Sequence, residues 1–174
     1  VPLFFPKINS PLKIKWVCGR NENKATNFAR NNGVEIPTTN YKDVLRDSSV
    51  EIIDNVLQPR SHHDTCIEAF EAGKNVICEK PLAASFEDAL KMYRIASRSG
   101  LTHGVMYNYR WLPAMILAKK MISRGDLGKI YHFRGSYLSD YGLDSNIPLD
   151  WHYVKREAGA GALADLGTHV IDAA

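Results

Sequence analysis

The residues of this chain best suited to chemistry begin with Cys78-Glu79-Lys80-Pro81. They close an apolar run, Asn75-Val76-Ile77-Cys78, which follows the turn Ala72-Gly73-Lys74. The run reads as a buried parallel strand, and open α/β sheets bind ligands beyond the carboxyl ends of such strands. A proline restricts the residue before it to extended conformations, so Lys80 is held in one direction. A fixed ammonium at a strand mouth can donate to a substrate hydroxyl or carbonyl, or relay a proton. The plainer alternative is a surface Glu79–Lys80 pair ahead of a helix starting near Pro81.

A second candidate is the stretch from Gly159 through Asp165 and His169 to Asp172, whose first half is almost entirely glycine and alanine. If a helix starts near Leu163, Asp165 and His169 stand four apart and share a face. A carboxylate beside an imidazole tunes it for proton transfer near neutral pH. The small residues before the pair let the backbone approach a ligand closely. An ordinary polar helix face, with His169 bonded to Asp165, satisfies the same pattern. No metal site is expected: the Asp–His pair has no identifiable further ligands, and Cys18, Cys66 and Cys78 lack Cys-x-x-Cys spacing.

Other candidates sit at element ends. Gly19-Arg20-Asn21 follows the strand Lys13–Cys18, where nicotinamide-binding folds carry an acid for the ribose hydroxyls or an arginine for a 2′-phosphate. Arg20 therefore leans toward NADP over NAD. His62-His63 follow Pro59 at a strand-to-helix turn, where a helix N-terminus can face a phosphate or nicotinamide. Asn108, Tyr109 and Arg110 follow the last parallel strand on the edge that carries Lys80, as substrate contacts or as interdomain salt bridging. Trp16, Trp111 and Trp151 read as core or interface, although Trp151 lies in a long loop where it could line a sugar pocket.

These residues need a scaffold, and two periods alternate through the first hundred positions. Strands are expected at 13–18, 51–57, 75–78 and 102–107, and helices at 23–31, 41–46, 61–72 and 85–99. Ser85 caps the last helix, and Gly33, Gly73 and Gly100 end three of them. Such alternation predicts βαβ units around a parallel sheet, an α/β Rossmann-type domain spanning 1–107. Beyond it, Pro113–Arg124 reads as a helix, and Lys129–Leu138 alternates polar and apolar as a half-covered antiparallel strand does. Residues 108–174 are therefore expected to begin a second, α+β domain with an open antiparallel sheet. Residues 139–156 form a long irregular connection of the kind that often carries function.

At 174 residues, 45% hydrophobic and 24% charged, the composition is that of an ordinary globular chain. A net charge of +3, with basic residues dispersed, argues against nucleic acid or a membrane surface as partner. No apolar run reaches the length of a membrane helix, and no secretory leader is expected at Val1–Ile8. Three scattered cysteines suggest reduced, buried thiols and a cytoplasmic protein. Because the chain starts at Val1 and stops at Ala174 within an expected helix, it reads as a piece of a longer protein.

Four segments, in order, resemble the Gfo/Idh/MocA family of NAD(P)-dependent oxidoreductases, which act mainly on sugars and cyclitols. They are Ala72–Pro81, Asn108–Trp111, Gly128–Ile130 and Gly161–Asp172. The resemblance implies a Rossmann domain followed by an open antiparallel sheet that carries substrate. Lys80 then orients the substrate, Asp165 and His169 sit at the reacting hydroxyl with His169 as general base, and a cis bond precedes Pro81. Pro59, His63, Glu79, Lys80, Pro81 and Arg20 would contact the cofactor, NAD or NADP; Asn108, Arg110 and Trp151 would contact the sugar or polyol. Two positions depart from the family pattern: Gln58 replaces a small hydroxyl residue and Arg60 an asparagine, with His63 at the family's histidine position. The glycine-rich loop and first strand are expected before Val1, so the stretch alone is expected to bind cofactor poorly and be inactive. The intact protein is expected to form a homo-oligomer through the second-domain sheet. A sensing regulator without catalysis, or an enzyme that cleaves glycosides by transient oxidation, would use the same scaffold.

Overall fold

The computed structural model describes residues 12–140, 143–148 and 150–174. It divides into two compact units, up to Ile52 and from Ile53 onward. In the first, β1 (Trp16–Cys18) pairs in parallel with β2 (Ile36–Thr38), Trp16 opposite Ile36. Helix α1 (Glu22–Asn32) connects them, its N-terminus capped by Asn21, whose side chain accepts from the Lys24 amide at 2.9 Å. Helix α2 (Tyr41–Arg46) follows, and Asp47 beyond it accepts from the Lys15 ammonium at 2.6 Å and the Trp16 indole at 2.8 Å. These charge-assisted bonds hold the Asp47 carboxyl well below the usual carboxylate range.

The second unit carries the candidate chemistry. Its sheet runs β3 (Ile52–Asn55), β4 (Asn75–Glu79), β5 (His103–Met106), with β4 central and β4 and β5 parallel. Helices α3 (Pro59–Glu71) and α4 (Phe86–Ser99) are the crossovers between these strands. Alternate residues of β4, Val76 and Cys78, are buried, as are Cys66, Ala69 and Phe70 of α3 and Met92 and Ala96 of α4. Ser85 caps α4, accepting from the Asp88 amide at 3.1 Å, and left-handed Gly100 ends it. Beyond β5 come a 3₁₀ turn (Asn108–Trp111), α5 (Pro113–Arg124), a 3₁₀ turn (Trp151–Tyr153) and the short α6 (Lys155–Ala158). A π-type turn (Leu163–Gly167) then leads directly into α7 (Thr168–Ala173).

Several expectations change on this scaffold. Helix α3 starts two residues early because Pro59 occupies its first turn, where the missing N–H costs nothing. Strand β2 escapes the periodicity, being three residues long with a proline at its centre. The alternating run 129–138 forms no ladder, since a strand needs a partner and none pairs with it among the described residues. Cys18 is exposed at the end of β1, whereas Cys66 and Cys78 are buried as expected. Trp111 is 73% exposed and covers no core. No helix of the described residues is long and apolar enough to cross a membrane.

Candidate active site

The mouth of β4 is built by its neighbours. Glu79 ends the strand, and its carboxylate accepts from the Lys80 amide at 3.1 Å. The Lys80–Pro81 bond is cis. Beneath it lies the fully buried His62, with Nδ1 3.0 Å from the Pro81 carbonyl and Nε2 2.8 Å from that of Leu57. One imidazole thus ties the loop after β3 to the loop after β4. Its neighbour His63 instead faces Asp64 at 2.7 Å and Asp88 at 3.9 Å. Arg60, one residue into α3, bonds Glu157 of α6 at 2.9 Å.

From the other side, Gly159 brings the glycine–alanine stretch against this loop. Its φ is +71°, and a Cβ there would stand 2.7 Å from the Ala84 carbonyl oxygen. Gly159→Ala is therefore expected to destabilise the protein by on the order of 1–3 kcal/mol from backbone strain alone. A thermal melt checks this, and an unchanged midpoint counts against the close approach.

The wide turn at Leu163–Gly167 departs from the expected α-helical winding. Thr168 Oγ1 donates back to the Ala164 carbonyl at 2.7 Å, and π-type turns recur at functional sites. The result is that Asp165 meets Lys80 and not His169. The ammonium donates to Asp165 Oδ1 at 2.5 Å and to the Asp165 carbonyl at 2.9 Å, joining residues 85 apart in sequence. Both side chains are partly buried, so the pair is stronger than a surface ion pair.

His169, on the first turn of α7, is 9% exposed, and its Nδ1 is buried with no hydrogen-bond partner. Burial, then the Lys80 charge, pushes its pKa below the usual imidazole value, against smaller opposing pulls from Asp165, Asp172 and Glu79. The neutral imidazole is thereby favoured. Three tyrosines surround the ring. Tyr109 stacks on it at 4.4 Å between centroids and 25° between planes, and Tyr137 lies at 6.0 Å and 27°. Tyr107 stands edge-on at 5.9 Å.

Lys80, Asp165 and His169 all line one open cavity of about 1040 Å³. Glu79 and Asn108 reach it too, and the strip Gly159–Ala162 forms a wall with nothing larger than a methyl group. A flat ring can lie against such a wall, and the volume exceeds the needs of a small ligand alone. The chemistry around the cavity (a carboxylate, an ammonium, an amide and an imidazole) fits a nicotinamide.

Other expected site residues stand elsewhere. Arg110 lines no part of this cavity; its Nε donates to both carboxylate oxygens of Asp172 on α7, at 3.0 and 2.8 Å. Trp151 stacks on His152 at 3.7 Å, and it is His152 and Tyr153 that face the cavity. Pro59 is buried at the start of α3, away from the cavity lining. Arg20 is exposed after β1, in the first unit. Tyr137 and His152 went unnoticed in the sequence. The one signal for Tyr137 was its place on the aromatic side of the 129–138 alternation.

A family model described as "Oxidoreductase family, NAD-binding Rossmann fold" matches residues 5–109, and one for the "GFO/IDH/MocA C-terminal domain" matches 115–174. The chain belongs to the GFO/IDH/MocA oxidoreductase family. It is 41% identical to levoglucosan dehydrogenase of Pseudarthrobacter phenanthrenivorans, over all of this chain and 45% of that protein. It is 30% identical to the scyllo-inositol 2-dehydrogenase (NADP(+)) of Bacillus subtilis, over 75% of this chain and 36% of that protein. A solved levoglucosan dehydrogenase in complex with NADH and levoglucosan superposes with a TM-score of 0.89, covering 91% of this chain and 43% of that chain. The chain thus spans less than half the length of these relatives.

Proposed function

We propose that this stretch belongs to a dehydrogenase that transfers hydride between a sugar or cyclitol CH–OH group and NAD(P). The observation that carries the reading is the convergence of Lys80, Asp165 and His169 on one cavity. His169, held neutral, takes the hydroxyl proton through Nε2, because Nδ1 is sealed off. Lys80 donates to the oxygen as charge develops there, and Asp165 fixes the direction of that ammonium. Asn108 supplies a further polar contact to the substrate. The nicotinamide, when bound, supplies the hydride acceptor, and Glu79 with the Gly159–Ala162 wall would hold that ring. Arg110 acts at a distance, bracing α7 through Asp172. Arg20 leans the cofactor toward NADP, and the scyllo-inositol relative carries NADP(+) in its name. The dinucleotide domain is taken to end near Tyr107, a division supported by the two family matches.

The test is a panel of sugars, anhydrosugars and cyclitols with each cofactor on the full native chain, followed by reduced-cofactor absorbance. Accumulation of reduced cofactor with at least one substrate class is expected. Cleavage of a glycoside with no such accumulation would overturn net oxidation.

A further inference from the structure

A histidine used as a base is ordinarily aimed by a hydrogen bond to its second ring nitrogen, from a carboxylate or a carbonyl. His169 has no such bond. Its Nδ1 is buried without a partner, and the carboxylate four residues before it, Asp165, is committed to Lys80. Something else must fix the rotation of this ring. Among the described residues three aromatic rings flank it: Tyr109 stacked at 4.4 Å, Tyr107 perpendicular at 5.9 Å and Tyr137 at 6.0 Å.

Tyr109 is itself braced. Its hydroxyl lies 2.6 Å from that of Tyr137, and the two rings are within 14° of parallel. Two residues before Tyr137 the backbone lies close to α7: a Cβ at Gly135 would stand 2.7 Å from Val170 Cγ1, next to His169 in sequence. Both tyrosines line the same cavity as Lys80 and His169. On the reading of His169 as the base, we infer that Tyr109 is a positioning residue, its ring locking the His169 imidazole against rotation, with the Tyr137 hydroxyl holding Tyr109 in place. Stacking of near-parallel rings at this separation is favourable beyond the area it buries. A base misplaced by a fraction of its reach costs rate far more than binding.

The device has two consequences. The ring of Tyr109 matters and its hydroxyl serves only the brace. The stack also excludes water from one face of the imidazole, adding to the burial that disfavours its cationic form. The charged and titratable groups around that ring are Glu79 from β4 and Lys80 just beyond it, Asp165 from the wide turn, Asp172 from α7, and the three tyrosines.

The experiment compares Tyr109→Leu, Tyr109→Phe and His169→Gln on the full native chain, with kcat, KM and the pH profile of kcat/KM for each. Y109L is expected to lower kcat by about 10- to 100-fold, to leave KM within a few-fold, and to move the acid limb to higher pH as water reaches the imidazole. Y109F, which keeps the ring and loses only the brace, should recover most of the lost kcat and most of the limb shift, leaving the small residual expected of a loosened ring. If Y109L keeps the parent's kcat and limb, or Y109F falls as far as Y109L, the proposal is overturned. H169Q separates the two readings: an active H169Q removes the base itself, whereas an inactive H169Q beside an unimpaired Y109L removes only the aromatic lock. Should Y109L fail to fold, the Tyr137→Phe variant reads the same lock through the brace. It is expected to give a smaller fall in kcat with the same direction of limb shift, and no change in either would again overturn the proposal.

Discussion

Lys80→Met is expected to lower kcat on the full native chain by about 10²- to 10³-fold, the cost of one donor to a developing oxyanion. Methionine keeps the length and apolar stem of the side chain and removes only the ammonium. Asp165 then loses its partner at 2.5 Å, but its side chain is 33% exposed and can turn to water. The fold should survive, and the melting midpoint should fall by much less than the rate. The pH profile carries the sharper signature. After burial, the Lys80 charge is the largest influence depressing the His169 pKa. Removing a nearby positive charge favours the imidazolium, so the pKa rises. A base must be neutral to act, so the acid limb of the residual activity moves to higher pH. If K80M keeps kcat within about threefold of the parent, or leaves the limb unmoved, Lys80 is only a surface cation.

Much of this architecture was legible because local signals agreed with one another. Around β4, the turn Ala72-Gly73-Lys74, the alternately buried Val76 and Cys78 and the cap at Ser85 all lie where the sequence puts them. Lys80 was legible for the same reason, as the residue between a strand end and a proline. The partner of Lys80 was not legible. A regular helix from Leu163 would set Asp165 beneath His169, and only the wide turn hands the carboxylate to a lysine 85 residues away. Arg110 read as a substrate contact because an arginine after a strand looks available. Nothing local announces that Asp172 will take it. The two adjacent histidines show the same limit: which of His62 and His63 turns inward depends on the start of α3, and Pro59 advances that start by two residues. The Tyr109–Tyr137 contact lies beyond any periodicity, since it joins a 3₁₀ turn to a segment with no ladder bonds. Pairings across loops follow from packing, and packing is what a one-dimensional pattern omits.

His169→Gln should have a still larger effect, a fall in kcat of about 10²- to 10⁴-fold, the range for loss of a positioned general base. Glutamine fills much of the same space and retains polarity, but its amide cannot accept a proton at any working pH. Because Nδ1 of the native ring bonds to nothing, the substitution breaks no hydrogen bond on that side. Thermal stability therefore reports chiefly the changed ring packing against Tyr107 and Tyr109. Binding of the reduced cofactor, followed by fluorescence titration, should stay within a few-fold of the parent, since the contacts assigned to the nicotinamide lie at Glu79 and the Gly159–Ala162 wall. The decisive comparison is again with pH. K80M moves the acid limb because it changes the environment of the titrating group, whereas H169Q should abolish the limb because that group is gone. If instead H169Q keeps a limb at the parent's position, some other residue is the base. Asp165 would then be the first to test, as the one carboxylate already joined to Lys80 within the cavity.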